Sequence, residues 1–265
     1  MTDQAQIEKL TAAVLDSTKY RTINPELVRR VAADELAKGR KFKDTVKAIK
    51  NKLHQVGGAY LGTPIDYPAW LERLRDATPE ARPKVCRQVM ALHASTKERL
   101  PILETFYQTI FVKLPPFASL LDVACGLNPL ALPWMGLPPG TTYYACDIYA
   151  DMVDFVEGAL EIFGQPGEAF ICDVVGAPPA QKVDVALILK AIPCLEQIGK
   201  GAGELLLNSI QANHLVVSYP VHSLGGRGKG MRENYESSFM ELVAGKNWGI
   251  EKLAFETELV FLINK

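Results

Sequence analysis

Four ionisable residues sit at the ends of apolar runs: Asp122 in Leu120-Leu121-Asp122-Val123, Asp147 after Tyr143-Tyr144-Ala145-Cys146, Asp173 after Phe170-Ile171-Cys172, and Lys190 after Leu187-Ile188-Leu189. Carboxylates at the carboxyl ends of buried strands can accept from the hydroxyl and amino groups of a nucleoside. Asp147 follows Gly126 by about 20 residues, the spacing of an acid that holds a ribose diol. Asp173, beside Val174, can accept from an adenine amino group, and Asp122 can attract an ammonium group directly or through water. Together they describe a nucleoside-cofactor site.

The loop from Asp122 to Pro129 keeps one glycine, Gly126, and so fails the G-x-G-x-x-G dinucleotide fingerprint. Extra glycines there let backbone amides approach a pyrophosphate. A phosphate-free cofactor needs no such approach, so the loop favours S-adenosylmethionine over NAD. A second glycine-rich stretch, Leu224-Gly225-Gly226-Arg227-Gly228-Lys229-Gly230, has Ser223 at the first glycine position of a P-loop and Gly230 at the Ser/Thr position. It cannot be a triphosphate site. Its two cations, Arg227 and Lys229, suit an RNA backbone.

The elements that must position these residues follow from periodicity. Residues 4–52 carry apolar residues at helical spacing, with a start at Asn24-Pro25 and a stop near Gly39. A short helix and a turn are expected over 66–80, and one or two longer helices over 81–111. From 117 onward strand-like and helical runs alternate: strands at 118–124, 142–147, 168–174, 183–190 and 214–219, with helices to about 136, at 150–163, 196–210 and 232–244. Asn128 is the expected N-cap of the first of these helices. Two final strands, 247–255 and 258–264, close the chain as a hairpin. Such alternation predicts a mostly parallel α/β sheet with helices on both faces. Seven strands with an antiparallel one near the end is the class I S-adenosylmethionine-dependent methyltransferase architecture, Rossmann-like. Three segments are expected: a basic helical domain at 1–60, a helical linker at 61–110 and the methyltransferase domain at 111–265.

The 265 residues are 48% hydrophobic and 22% charged, which excludes a disordered chain. The longest apolar run, Val183 to Leu189, is closed by Lys190 and is too short for a membrane span. The polar N-terminus has no signal-peptide pattern, so a cytoplasmic protein is expected. Five dispersed cysteines, with no C-x-x-C pair, predict neither disulfides nor a metal site. Residues 1–60 hold 12 Lys+Arg against 7 Asp+Glu, whereas residues 106–265 hold 10 against 17. A basic first segment on an acidic domain suggests an anionic partner.

Several blocks together carry a resemblance: His93-Ala94-Ser95-Thr96-Lys97-Glu98-Arg99-Leu100, Ala124 to Leu132, Cys146-Asp147-Ile148, Leu224 to Met231, and Thr257-Glu258-Leu259. In these the chain resembles the aminoglycoside-resistance 16S rRNA (guanine-N7) methyltransferases. The resemblance implies cofactor contacts from His93, Ala94, Ser95 and Arg99, with Arg99 pairing the methionine carboxylate bidentately. It implies Tyr60 closing over the cofactor, and contacts from Ala124, Leu189 and Gln197. The cofactor set is thus Tyr60, His93, Ala94, Ser95, Arg99, Ala124, Gly126, Asp147, Asp173, Val174, Leu189, Lys190 and Gln197. The product would be S-adenosylhomocysteine.

The implied partner is 16S rRNA within the 30S ribosomal subunit, met by a monomer through Lys19, Arg21, Arg40, Lys41, Arg227 and Lys229. Guanine N7 has a free lone pair, so catalysis needs positioning rather than a base, with Lys190 in a supporting role at most. Two alternatives compete. Pro193-Cys194 resembles the Pro-Cys pair of RNA cytosine-C5 methyltransferases, where the cysteine attacks the ring. A small-molecule methyltransferase would explain the sheet but leave the basic helices idle.

Overall fold

The computed structural model describes residues 3–58, 60–62, 64–221 and 230–265. The expected Arg227 and Lys229 contacts lie outside these residues. Three helices form the first layer: α1 (Asp3–Leu15), α2 (Pro25–Leu36) and α3 (Phe42–Leu53). Asn24 starts α2 as expected, its Oδ1 accepting from the amide of Glu26 at 2.9 Å with Pro25 in the first turn. The apolar stripes of these helices (Leu10 and Val14, Leu27, Val28 and Val31, Ile49 and Leu53) are fully buried against one another. A single π-turn, His54–Gly58, leads out of α3.

Four helices follow, α4 (Tyr67–Asp76), α5 (Arg82–Met90), α6 (Ala94–Arg99) and α7 (Leu103–Phe111). The sheet comprises β1 (Ser119–Val123), β2 (Thr142–Asp147), β3 (Gly167–Ile171), β4 (Lys182–Leu189), β5 (Gln211–Pro220), β6 (Gly249–Ala254) and β7 (Glu258–Asn264), in the order β3-β2-β1-β4-β5-β7-β6. β1 to β5 are parallel, and β7 enters antiparallel between β5 and β6. Its helices are α8 (Leu132–Met135), α9 (Ala150–Phe163), α10 (Ile192–Ile198), α11 (Ala202–Ser209) and α12 (Met231–Leu242). Phe239 of α12 stacks on Phe261 of β7 with centroids 3.8 Å apart, pinning the last helix to the antiparallel strand.

Four elements differ from expectation. The one or two longer helices expected over 81–111 are three short ones, α5, α6 and α7. Asn128 does not cap a helix: Leu127 holds that position, and the Asn128 side chain turns into the core toward Asp122, Arg99 and Tyr107. The helix expected at 196–210 is two, α10 and α11, parted at Gly199 and at Gly201 in the left-handed conformation. β3 stops at Ile171, so Asp173 sits in the turn beyond the strand. The helical layer and the sheet share one hydrophobic core, continuous from Leu10 to Ile263. Among the described residues no helix is long and apolar enough to cross a membrane.

Candidate functional site

Between β1 and β4 the sheet order reverses, and there an open α/β sheet leaves a crevice at its carboxyl edge. Both bordering strands end in strained backbone. Ala124, just after β1, has φ 51°, and Lys190, just after β4, has φ 58°; they are the two non-glycine residues with positive φ among those described. Left-handed backbone at such side chains persists only where surroundings enforce it, and it concentrates at ligand sites. A cavity partly open to solvent lies over these strand ends, lined by Asp122, Asp147, Asp173 and Lys190 among others.

Asp147 builds the floor. Its Oδ2 accepts from the Gly126 amide at 2.9 Å and its Oδ1 from the Ile148 amide at 2.7 Å, which leaves a lone pair on each oxygen for a ligand. Burial still pushes its carboxyl up, against those backbone donors. Gly126 has φ 52°, and a Cβ there would meet the His93 ring at 3.0 Å, so the loop glycine is required twice over. His93 stacks on Tyr60 with centroids 5.9 Å apart at 18°. Burial first, then the charges of Lys190 and Arg99, pull the His93 pKa down to about 4, which leaves the ring neutral near pH 7. Ser95 lines the cavity, but Ala94 does not: its amide is spent on the Tyr60 carbonyl at 3.0 Å.

Arg99 lines the cavity and is already engaged on one side. Its Nε and Nη2 donate to Glu258 at 2.7 and 2.9 Å, and Nη1 donates to Asn128 at 2.5 Å. The fork of Nε and Nη2 is thus occupied by Glu258 of β7, so a methionine carboxylate would be left one N–H on each terminal nitrogen. Arg99 is 1% exposed and Glu258 0%. Lys190 Nζ completes the cluster, donating to the Ser95 carbonyl at 2.7 Å and Glu98 at 2.9 Å and lying 3.4 Å from Glu258. Burial opposes the charge on Glu258, but Arg99 and Lys190 outweigh it and hold its carboxyl below the ordinary range. Glu258 was visible in the sequence only as part of a shared block; no local signal tied it to Arg99.

Asp122 is also buried, accepting on Oδ2 from Asn128 at 2.8 Å and Tyr143 at 2.7 Å, while Oδ1 has no partner among the described residues. Burial pushes its pKa up to about 7 despite those bonds and Arg99. An ammonium group brought to this carboxyl must displace the proton whenever the pH is below that value. Affinity for S-adenosylhomocysteine is therefore expected to fall as pH drops from 7 to 6, approaching about tenfold per unit, and to level off above 8. Asp122→Asn should flatten the profile; a flat wild-type curve by calorimetry would separate Asp122 from the ligand.

Val174, Leu189 and Asp173 also line the cavity. Asp173 is held by Arg30 of α2, Nε and Nη2 each 2.8 Å from a carboxylate oxygen. Arg30 thus turns inward from the otherwise basic helical layer. Gln197 is exposed and lines no part of the cavity. Cys194 Sγ lies 3.0 Å from the Tyr60 hydroxyl, and burial raises its thiol pKa, so a ring-attacking thiolate is disfavoured there.

Of the expected phosphate contacts, Lys19, Arg21, Arg40 and Lys41 are exposed. Lys19 lies 3.0 Å from His54 Nδ1. Arg40 is committed to the buried Glu35, which also pairs with Lys38 and Lys52. Arg21 and Lys41 have no ion pair among the described residues.

The model of the ribosomal RNA methyltransferase (FmrO) family matches residues 16–262. The chain belongs to that family. A 16S rRNA (guanine(1405)-N(7))-methyltransferase of Micromonospora echinospora is 39% identical over 98% of this chain and 97% of that relative. One of Serratia marcescens is 37% identical over 98% of each. Among solved structures, 16S rRNA methyltransferase RmtF in complex with S-adenosyl-L-homocysteine superposes with a TM-score of 0.83 at 32% identity, covering 98% of each chain. The 16S rRNA methylase RmtB gives 0.80 at 33%, with the same coverage. As in this family, the fold is that of class I S-adenosylmethionine-dependent methyltransferases.

The cavity's own chemistry fits that methyl donor. An unpartnered carboxyl oxygen on Asp122, a backbone-fixed Asp147, and an apolar slot ending in Asp173 offer an ammonium site, a diol site and an adenine site in one line of strand ends.

Proposed function

We propose that this family member transfers the methyl group of S-adenosylmethionine to N7 of a guanine in the decoding-site helix of 16S rRNA, within the small ribosomal subunit. The observation that carries the reading is that the cavity's two cations, Arg99 and Lys190, are neutralised by Glu258 and Glu98, while Asp122, Asp147 and Asp173 present a row of acceptors for the methyl donor. A guanine N7 lone pair needs no base. Bound S-adenosylmethionine supplies an electrophilic methyl group. Asp147 accepts from its ribose hydroxyls, Asp173 and the walls of Val174 and Leu189 hold adenine, and Asp122 faces the ammonium. Tyr60 and His93 shield the reacting end from water, and Lys190, locked by Ser95 and Glu98, fixes the β4 edge where the base must align.

The methylated N7 carries positive charge and no longer accepts a hydrogen bond, which would weaken polycationic aminoglycosides and confer resistance. The protein acts as a cytoplasmic monomer, with segment 1–60 neutralising rRNA phosphates. Cytosine-C5 chemistry is disfavoured by the protonated, Tyr60-bound Cys194. Transfer of labelled methyl groups to purified small subunits, retained by Cys194→Ala, tests the reading; transfer confined to small molecules would overturn it.

Charge reversal at Arg21 or Lys41 is expected to weaken subunit binding several-fold at moderate salt and to lower the slope of log K against log salt by about one per lost phosphate contact. Affinity for S-adenosylhomocysteine should stay within about twofold, since neither residue lines the cofactor cavity. Arg40→Glu is a poor probe of the same surface, because it would also set a second carboxylate beside the buried Glu35.

A further inference from the structure

The helical layer does more than carry cations. From α2, Leu27 lines the cofactor cavity and Arg30, on the same helix face one turn later, reaches Asp173 with both prongs of its guanidinium at 2.8 Å. Asp173 is 5% exposed. The turn beyond it is shaped around the pair: a Cβ on Gly176 would lie 2.6 Å from Asp173 Oδ2 and 3.1 Å from Arg30 Nε. Only glycine leaves room there.

A carboxylate free to rotate presents its lone pairs in many directions, whereas a forked guanidinium fixes the carboxylate plane. Oδ1 also accepts from the Val175 amide at 3.3 Å, so with one lone pair on each oxygen directed to Arg30, the one that remains, on Oδ2, is held in a fixed direction. We propose that Arg30 is a positioning residue for base recognition: it orients Asp173 to accept from an amino group on the purine, and so makes the helical layer part of the cofactor's specificity. This rests on the reading that Asp173 faces adenine. The layer does not need Arg30 to stay docked. Backbone bonds from Asn24 N to the Ile148 carbonyl and from Ala150 N to the Thr22 carbonyl, both 2.7 Å, stitch it to the loop after β2, and Lys52 Nζ donates to the Ile198 carbonyl at 3.0 Å.

Titration calorimetry of the full-length protein with S-adenosylhomocysteine and with its 6-oxo analogue, S-inosylhomocysteine, tests this. The wild type should prefer the amino purine. Arg30→Ala should weaken S-adenosylhomocysteine about tenfold and leave the 6-oxo analogue within about twofold, erasing the preference. Arg30→Lys, a point charge without the fork, should retain part of it, and is read in the same way if Arg30→Ala does not fold. Equal loss for both ligands would reduce Arg30 to a structural contact, and an unchanged preference would remove its role. Asp173→Ala tells which link failed. If it too keeps the preference, the adenine assignment falls; if it loses the preference while Arg30→Ala keeps it, only the positioning role falls.

Discussion

Glu258→Ala should lower stability by about 3–5 kcal/mol, because it leaves two buried cations without their shared counter-charge. Glu258 accepts from Arg99 Nε and Nη2, from Ser218 Oγ at 2.8 Å, and lies 3.4 Å from Lys190. Lys190 would keep Glu98, but Arg99 would keep only the neutral Asn128. For a chain of this size the melting temperature should drop by roughly 10 °C. Glu258→Gln keeps an acceptor and the shape but not the charge, and should fall between. The sign of the pH dependence follows from the depressed carboxyl: its stabilisation is present above the ordinary value of 4.5 and is lost as pH falls through the lower folded value. Wild type and variant should therefore converge in acid. A melting temperature unchanged within a degree or two at pH 7 would contradict the assignment of this cluster as a structural keystone.

Asp147→Ala should weaken S-adenosylhomocysteine by at least about 100-fold, through the loss of two charge-assisted bonds to the ribose hydroxyls. The same change frees the amides of Gly126 and Ile148, which Asp147 now ties together across the cavity floor. Melting temperature should change little by comparison, because the side chain lies at a strand end beside the open cavity rather than within the sheet core. A loss of affinity below about fivefold would mean that the diol sits elsewhere. A collapse of stability equal to that of Glu258→Ala would mean that Asp147 holds the fold rather than the ligand.

The strands and the cofactor edge were legible in the sequence because their signals are local. An apolar run followed by an acid marked the ends of β1 and β2, and the run 142–147 and the helix 150–163 match β2 and α9 residue for residue. What the sequence concealed is pairing between distant residues. Arg30 meets Asp173 across 143 positions and Arg99 meets Glu258 across 159, and nothing in the spacing of either arginine distinguishes an inward fork from a solvated cation. Local rules also erred where tertiary contacts outbid them. Asn128 before Pro129 has the form of a helix cap, yet its amide is drawn inward by Asp122 and Arg99, whose burial makes an unpaired state too costly. Ala94 and Gln197 stand on α6 and α10, which border the cavity, but neither residue lines it.

The central claim is that this cavity delivers a methyl group to N7 of one guanine in the decoding-site helix. Purified small ribosomal subunits incubated with the protein and S-adenosylmethionine, then analysed by mass spectrometry of nuclease fragments of the 16S rRNA, test it directly. A single added methyl group at a decoding-site guanine, labile to the depurination that N7-methylguanine undergoes, is the expected result. A methyl group on a cytosine or on an exocyclic amine, or an unmodified 16S rRNA, would contradict it.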